Sequence, residues 1–234
     1  MFNKHPKGLI AAALANLGER FGFYTMMAIL VLFLQAKFGM NGKEAGFIYS
    51  TFYFSIYILA LVGGIIADKT RNYKGTIFTG IVLMAVGYLL LAIPSKTPVD
   101  NKMLYLVITC ASLFVIAFGN GLFKGNLQAL VGQMYDNPQY ANMRDSGFSL
   151  FYMFINIGAI FAPFAAVGVR NWWLSTFGYN YDADLPALCH GQLAGTLSPE
   201  ATETYHTLVT KASTAPVQDY TAFASDYLNV FTTG

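Results

Sequence analysis

Glu19 and Arg20 sit side by side inside an apolar run from Leu9 to Gln35. A bilayer places its hydrocarbon core at such a run, where each charge costs roughly 2.5–3.5 kcal/mol on insertion scales. Charged side chains persist there when they face a protein interior and pair with something. Lys124 lies within another apolar run and is the evident partner. Low dielectric and a neighbouring cation pull a carboxyl's protonation in opposite directions, so a Glu held this way can bind and release a proton. Two readings fit the pair: a proton or substrate site, or a structural ion pair that locks helices together.

The neighbouring residues extend this constellation. Asn16, Arg20, Tyr24 and Met27 recur at helical spacing, with Glu19 and Phe23 beside them, so all six occupy adjacent faces of one helix. Lys124 stands in Gly119-Asn-Gly-Leu-Phe-Lys-Gly-Asn126, whose glycines let a backbone or a ligand approach closely. It holds a carboxylate, from Glu19 or from a substrate, or it snorkels to the membrane surface. Tyr57 adds an uncharged donor and acceptor, as do Tyr152 and Asn156, which are four apart and share a helix face. The loop around Asp68, Arg71 and Lys74 reads either as a solvated turn or as a gating contact between helix ends.

No arrangement for catalysis stands beside these residues. His5, His190 and His206 are scattered through polar segments, far from both Cys110 and Cys189. There is no Cys-x-x-Cys, no His-Glu-x-x-His, no Gly-x-Ser-x-Gly and no phosphate loop. The reading is therefore not an enzyme, with no metal and no cofactor.

Membrane-spanning elements must position the charges. Hydrophobic residues make up 55% of the 234 and charged residues 11%, against about 25% charged in soluble domains. Five segments are long and apolar enough to span a bilayer: Leu9–Gln35, Ala45–Ala67, Gly75–Ile93, Met103–Met134 and Gly147–Val169. Their short connections carry turn residues, and glycines inside them suit close helix contact. The basic residues before the first run have no small-residue cleavage site after it, so that run is read as a retained span.

The expected fold is an all-α membrane protein, with spans over residues 1–170 and a polar extracytoplasmic segment over 171–234. The first part holds 13 of the 14 Lys+Arg and 6 of the 12 Asp+Glu, a net of +7, and the second is −5. The basic excess is spread over short loops and gives no argument for nucleic acid. Six basic residues on the N-terminal side against five on the other favour a cytoplasmic N-terminus. In the tail, Ser198-Pro199-Glu200 reads as a helix start. Tyr220, Phe223, Tyr227, Val230 and Phe231 read as one apolar helix face.

These residues resemble the proton-coupled oligopeptide transporter family of the major facilitator superfamily. Asn16-Leu-Gly-Glu19-Arg20-Phe21-Gly-Phe23-Tyr24 is similar to the family's first-helix signature, Glu-x-x-Glu-Arg-Phe-x-Tyr-Tyr. Gly63–Ile77 resembles its loop between helices two and three. Asn120-Gly-Leu-Phe-Lys124-Gly-Asn126 resembles its fourth-helix motif, and Phe151-Tyr152-Met-Phe-Ile155-Asn156-Ile-Gly158 its fifth. The departures are Asn16 for an acid, Phe23 for a Tyr, Met27 for an Arg and Gly125 for a Pro.

The resemblance implies the first five helices of a major-facilitator N-terminal bundle, completed by further C-terminal helices and a sixth span after the tail. It implies import of di- and tripeptides by proton symport through alternating access, in the cell (inner) membrane. Glu19, Arg20 and Lys124 would couple protons. Asn16, Tyr24, Tyr57, Lys124, Tyr152 and Asn156 would line the peptide cavity. Two rivals stand: a relative with another small anionic or zwitterionic substrate, and a receptor or assembly subunit working through its tail.

Overall fold

A chain inside lipid must satisfy its backbone hydrogen bonds internally, and every apolar run here folds as a helix. The computed structural model describes residues 4–233. Five long helices come first: α1 (Lys7–Phe38), α2 (Gly42–Thr70), α3 (Tyr73–Leu91), α4 (Lys102–Met134) and α5 (Arg144–Thr176), the last preceded by a 3-10 turn at Ala141–Met143. All five are long and apolar enough to cross a membrane. Three short helices follow: α6 (Leu185–Ala194), α7 (Pro199–Ala212) and α8 (Tyr220–Thr233).

The helices begin where a side chain can satisfy orphan N–H groups. Asn41 Oδ1 accepts from the N–H groups of Lys43 and Glu44, while Glu44 Oε2 accepts from the Asn41 N–H, a reciprocal cap on α2. Asn72 and Asn101 accept from Gly75 and Leu104 in the first turns of α3 and α4. Ser198 caps α7 by accepting from the Ala201 N–H, with Pro199 in the first turn, as the sequence predicts. The turn between α2 and α3 is tighter than the sequence suggests. Helix α2 continues through Thr70, leaving only Arg71, at φ +49°, and Asn72 before α3.

The chain divides into two units. One comprises Met1–Met26, Ser50–Leu91 and Ile108–Pro163. Its core is built from Leu9 and Ala13 of α1, Met84 of α3, Phe123 and Leu127 of α4, and Phe151 of α5. The helices meet through glycines. A Cβ on Gly121 would strike the Leu59 carbonyl of α2, and one on Gly119 would strike the Gly80 carbonyl of α3. Gly158 of α5 lies against the Leu17 carbonyl of α1 in the same way. Backbones approach this closely only where side chains are absent. Large apolar side chains elsewhere, such as Phe54, Leu61, Phe78 and Phe161, are exposed, as a lipid-facing surface requires.

The other unit comprises Met27–Tyr49, Ala92–Val107 and Phe164–Gly234. Here α6, α7 and α8 enclose Leu185, Cys189, Tyr205, Val209, Phe223 and Tyr227, packed with Ala36 of α1 and Leu174 of α5. The predicted α8 face forms: Phe223 and Tyr227 are buried, and Tyr220, Val230 and Phe231 pack against them. Helix α6 is not legible in the sequence, because ten residues containing Pro186 and Gly191 carry little helical signal. Tertiary contacts hold it. His190 Nε2–H donates to the Ala36 carbonyl at 2.7 Å, and Gly39, at φ +61°, lies under the imidazole. Trp173 Nε1–H donates to the Val230 carbonyl at 3.0 Å.

Candidate functional site

Helix α1 enters the site with Leu9, Ala12 and Ala13 packed into the core, Ile10, Leu14 and Phe21 exposed, and Glu19 and Arg20 directed inward. Both side chains are more than nine-tenths buried. The guanidinium closes a two-point fork on the carboxylate: Nε donates to Oε2 at 2.5 Å and Nη2 to Oε1 at 2.7 Å. A third donor comes from α4, where Asn120 Nδ2 reaches Oε1 at 2.5 Å. The ion pair thus runs between sequence neighbours, with Asn120 rather than Lys124 joining it from another helix. Sequence reasoning missed Asn120. The usable signal was its position four residues before Lys124, which puts both on one face of α4.

Lys124 is half-buried, with Nζ 5.2 Å from the centre of the Tyr57 ring. An ammonium over an aromatic face is attracted by the ring's quadrupole. The Tyr57 hydroxyl donates to the Tyr53 hydroxyl at 2.9 Å. Lys124 also interacts electrostatically with Glu19, Arg20 and Tyr53. On α1, the Arg20 guanidinium lies 5.0 Å from the Phe23 ring centre and 5.8 Å from that of Tyr24. Asn16 is buried one turn earlier. The structure therefore gathers Glu19, Arg20, Tyr24, Tyr57 and Lys124 around one cluster, with Asn120 and Tyr53 added.

Tyr152 and Asn156 are placed differently. Both are exposed on α5, and Tyr152 packs edge-on to Phe151 of its own helix. Helix α5 nevertheless approaches the cluster through Gly158, whose Cα faces Leu17 and Arg20. At the α2–α3 turn, the Asp68 carboxylate accepts from the Tyr73 hydroxyl at 2.6 Å, while Arg71 and Lys74 are exposed. The ion pairs formed among the described residues are Glu19–Arg20 and Asp136–Arg144.

Chemically, the cluster is a buried carboxylate saturated by three donors, beside a half-buried ammonium on an aromatic face. It can exchange a proton or an ion pair, and it offers no nucleophile–base pair.

Residues 74–189 match the POT family model. Over 185 residues the chain is 34% identical to peptide transporter YePEPT of Yersinia enterocolitica, covering 77% of this chain and 34% of that protein. The chain belongs to the POT family. Dipeptide and tripeptide permease A of an Enterobacter species is likewise 34% identical over 179 residues, covering 76% of this chain and 32% of the permease. This POT-family chain thus spans about a third of the length of the curated relatives it matches. Among solved structures, a sulfate complex of a mutant peptide transporter POT superposes with a TM-score of 0.63 at 28% identity. That match covers 90% of this chain and 45% of that one. The POT relatives are transporters rather than enzymes, and the five long helices make this chain part of a multi-pass membrane protein.

Proposed function

We propose that the protein carrying this chain imports di- and tripeptides by proton symport through alternating access, completed by further helices. The observation that supports it best is the Glu19–Arg20 fork, held by Asn120 inside a membrane span, next to Lys124 over Tyr57. A buried, titratable carboxylate among cations is what a proton-coupled site needs, and POT relatives bear the names of peptide transporters. In this reading Glu19 carries the proton, and Arg20 and Lys124 set its affinity. Tyr24, Tyr57, Tyr152, Asn156 and Asn16 face the peptide, with Lys124 near its carboxylate. Asp68, Arg71 and Lys74 form a gating contact with another helix end.

We place the N-terminus in the cytoplasm of the cell (inner) membrane and residues 171–234 on the opposite side. The excess of Lys and Arg on the N-terminal side supports that orientation. Proton-gradient-driven dipeptide uptake into proteoliposomes tests the reading. Uptake should collapse with an uncoupler and in Lys124→Ala. Glu19→Gln should lose accumulation while keeping exchange, and full accumulation by that variant would overturn the assignment. A second reading, a changed small anionic or zwitterionic substrate, is favoured by Asn16 and Met27, which are buried and uncharged. A competition panel against peptides separates the two.

A further inference from the structure

Asn120 is fully buried, yet only one end of its amide is used. Its Nδ2 donates to Glu19 Oε1 at 2.5 Å and approaches Met84 Sδ at 4.0 Å, while Oδ1 has no hydrogen-bond partner among the described residues. A buried acceptor left unmatched costs free energy, so its retention at the centre of the charge cluster calls for a physical reason.

The chemistry of the carboxyl supplies one. An ionised Glu19 only accepts, and its contacts answer that: Arg20 and Asn120 present N–H groups. A protonated Glu19 must also donate one O–H. Arg20 cannot receive it, having donors alone, and neither can the Lys124 ammonium. Tyr88 faces Glu19 electrostatically from α3, but no hydrogen bond joins them among the described residues. Tyr53 and Tyr57 of α2 are engaged with each other and with Lys124. Helix α5 brings Gly158. Of the groups hydrogen-bonded to Glu19, Asn120 alone also owns an acceptor.

We propose that Asn120 is the positioning residue for both protonation states of Glu19, donating through Nδ2 to the carboxylate and, after a half-turn of its amide, accepting through Oδ1 from the carboxylic acid. The proton that arrives on Glu19 stays on Glu19, and the amide only changes which of its ends faces it. Neutralising the carboxylate dissolves the fork with Arg20, and Asn120 keeps the neutral carboxyl from leaving its place. Protonation is thereby converted into a free guanidinium without loss of order. This inference rests on the reading that Glu19 titrates, and the two can fail separately.

Infrared difference spectroscopy on the natural protein in lipid, stepped between alkaline and acidic pH, tests it. Glu19 contributes a carboxylic C=O band, identified by its loss in Glu19→Gln. In the unmutated protein that band should lie at the frequency of a hydrogen-bonded acid. In Asn120→Leu it should move up to that of a free one, and in Asn120→Ser, whose hydroxyl can accept, it should stay bonded. Where Asn120→Leu does not fold, the unmutated protein labelled with 13C-asparagine serves. Its side-chain amide C=O band should shift down on acidification, with the shift missing in Asn120→Ser and in Glu19→Gln. A Glu19 band that ignores Asn120→Leu, or an unshifted amide band, overturns the proposal and leaves the titration of Glu19 standing. A spectrum with no band lost in Glu19→Gln removes the reading beneath it and the proposal with it.

Discussion

Each charge in the α1 cluster depends on another. Glu19 and Arg20 are buried and bonded in a fork, so removing one partner leaves an uncompensated charge in low dielectric, at about 3–5 kcal/mol. Arg20→Met should therefore lower thermal stability in detergent sharply. The double variant Glu19→Gln with Arg20→Met should recover most of that loss, because no charge is then stranded. Thermal unfolding by size-exclusion recovery reads both, and equal loss in the single and double variants would rule out the ion pair as a structural element. Arg20→Lys keeps the charge but not the two-point fork, so its stability should fall between those of the unmutated protein and Arg20→Met. Asn126 acts at the same scale without charge. Its Nδ2 donates to the Gly63 carbonyl of α2 at 3.0 Å and to the Leu122 carbonyl of α4 at 2.8 Å, tying the two helices together.

At the scale of elements, the decisive feature is how closely helix backbones meet. Gly121 lies against the Leu59 carbonyl, whereas Gly125, one turn later on the same helix, has open space where a Cβ would stand. The same helix thus predicts two opposite outcomes. Gly121→Val should destabilise by about 1–3 kcal/mol or more through overpacking. Gly125→Ala should gain about 0.5–1 kcal/mol from reduced backbone freedom. Melting temperatures of the two variants should move in opposite directions, and a stabilised Gly121→Val would disprove the close α2–α4 contact. The tail offers a milder case. Ser198→Ala removes the cap on α7 at a cost of about 1 kcal/mol, visible as faster amide exchange in residues 200–203.

At the scale of the whole molecule, the tail matters because it carries its own hydrophobic core and holds the end of α1. His190 makes that contact. Burial disfavours its charged form, and the neighbouring Lys102 adds to this, while the bond to the Ala36 carbonyl opposes it; the net effect holds the imidazole below its ordinary value. With the folded pKa depressed, the stabilisation is fully present above the unfolded pKa of about 6.5 and is lost as pH falls through the lower folded value. Hydrogen exchange in α6, corrected for the intrinsic pH dependence of amide exchange, should be slow at pH 7.5 and accelerate as pH falls through that lowered value. In His190→Gln that acceleration should disappear, since the amide keeps a donor and does not titrate. Unchanged acid sensitivity in His190→Gln would assign it to another group. Cys189, buried beside His190 with its thiol pushed up to about 12 by desolvation, stays protonated throughout this range.

Much of this molecule is legible in the chain itself. Apolar runs of membrane length dictate five helices, because a backbone without water has no other way to satisfy its polar groups. The types and spacing of Glu19, Arg20, Tyr24 and Lys124 mark a polar cluster inside the spans, because charge in hydrocarbon persists only with partners. Ser198 and the apolar repeat from Tyr220 announce α7 and α8 by local rules of capping and periodicity. What sequence cannot order is contact between segments far apart in the chain. That Glu19 turns to Asn120, 101 residues away, rather than to Lys124 depends on how α1 and α4 are rotated where they pack. That α6 is a helix at all depends on Leu185, Cys189 and His190 finding Ala36 and the other tail helices. Local propensity and charge are properties of short stretches, whereas partner choice between equivalent donors is settled only when packing fixes distances to within an ångström.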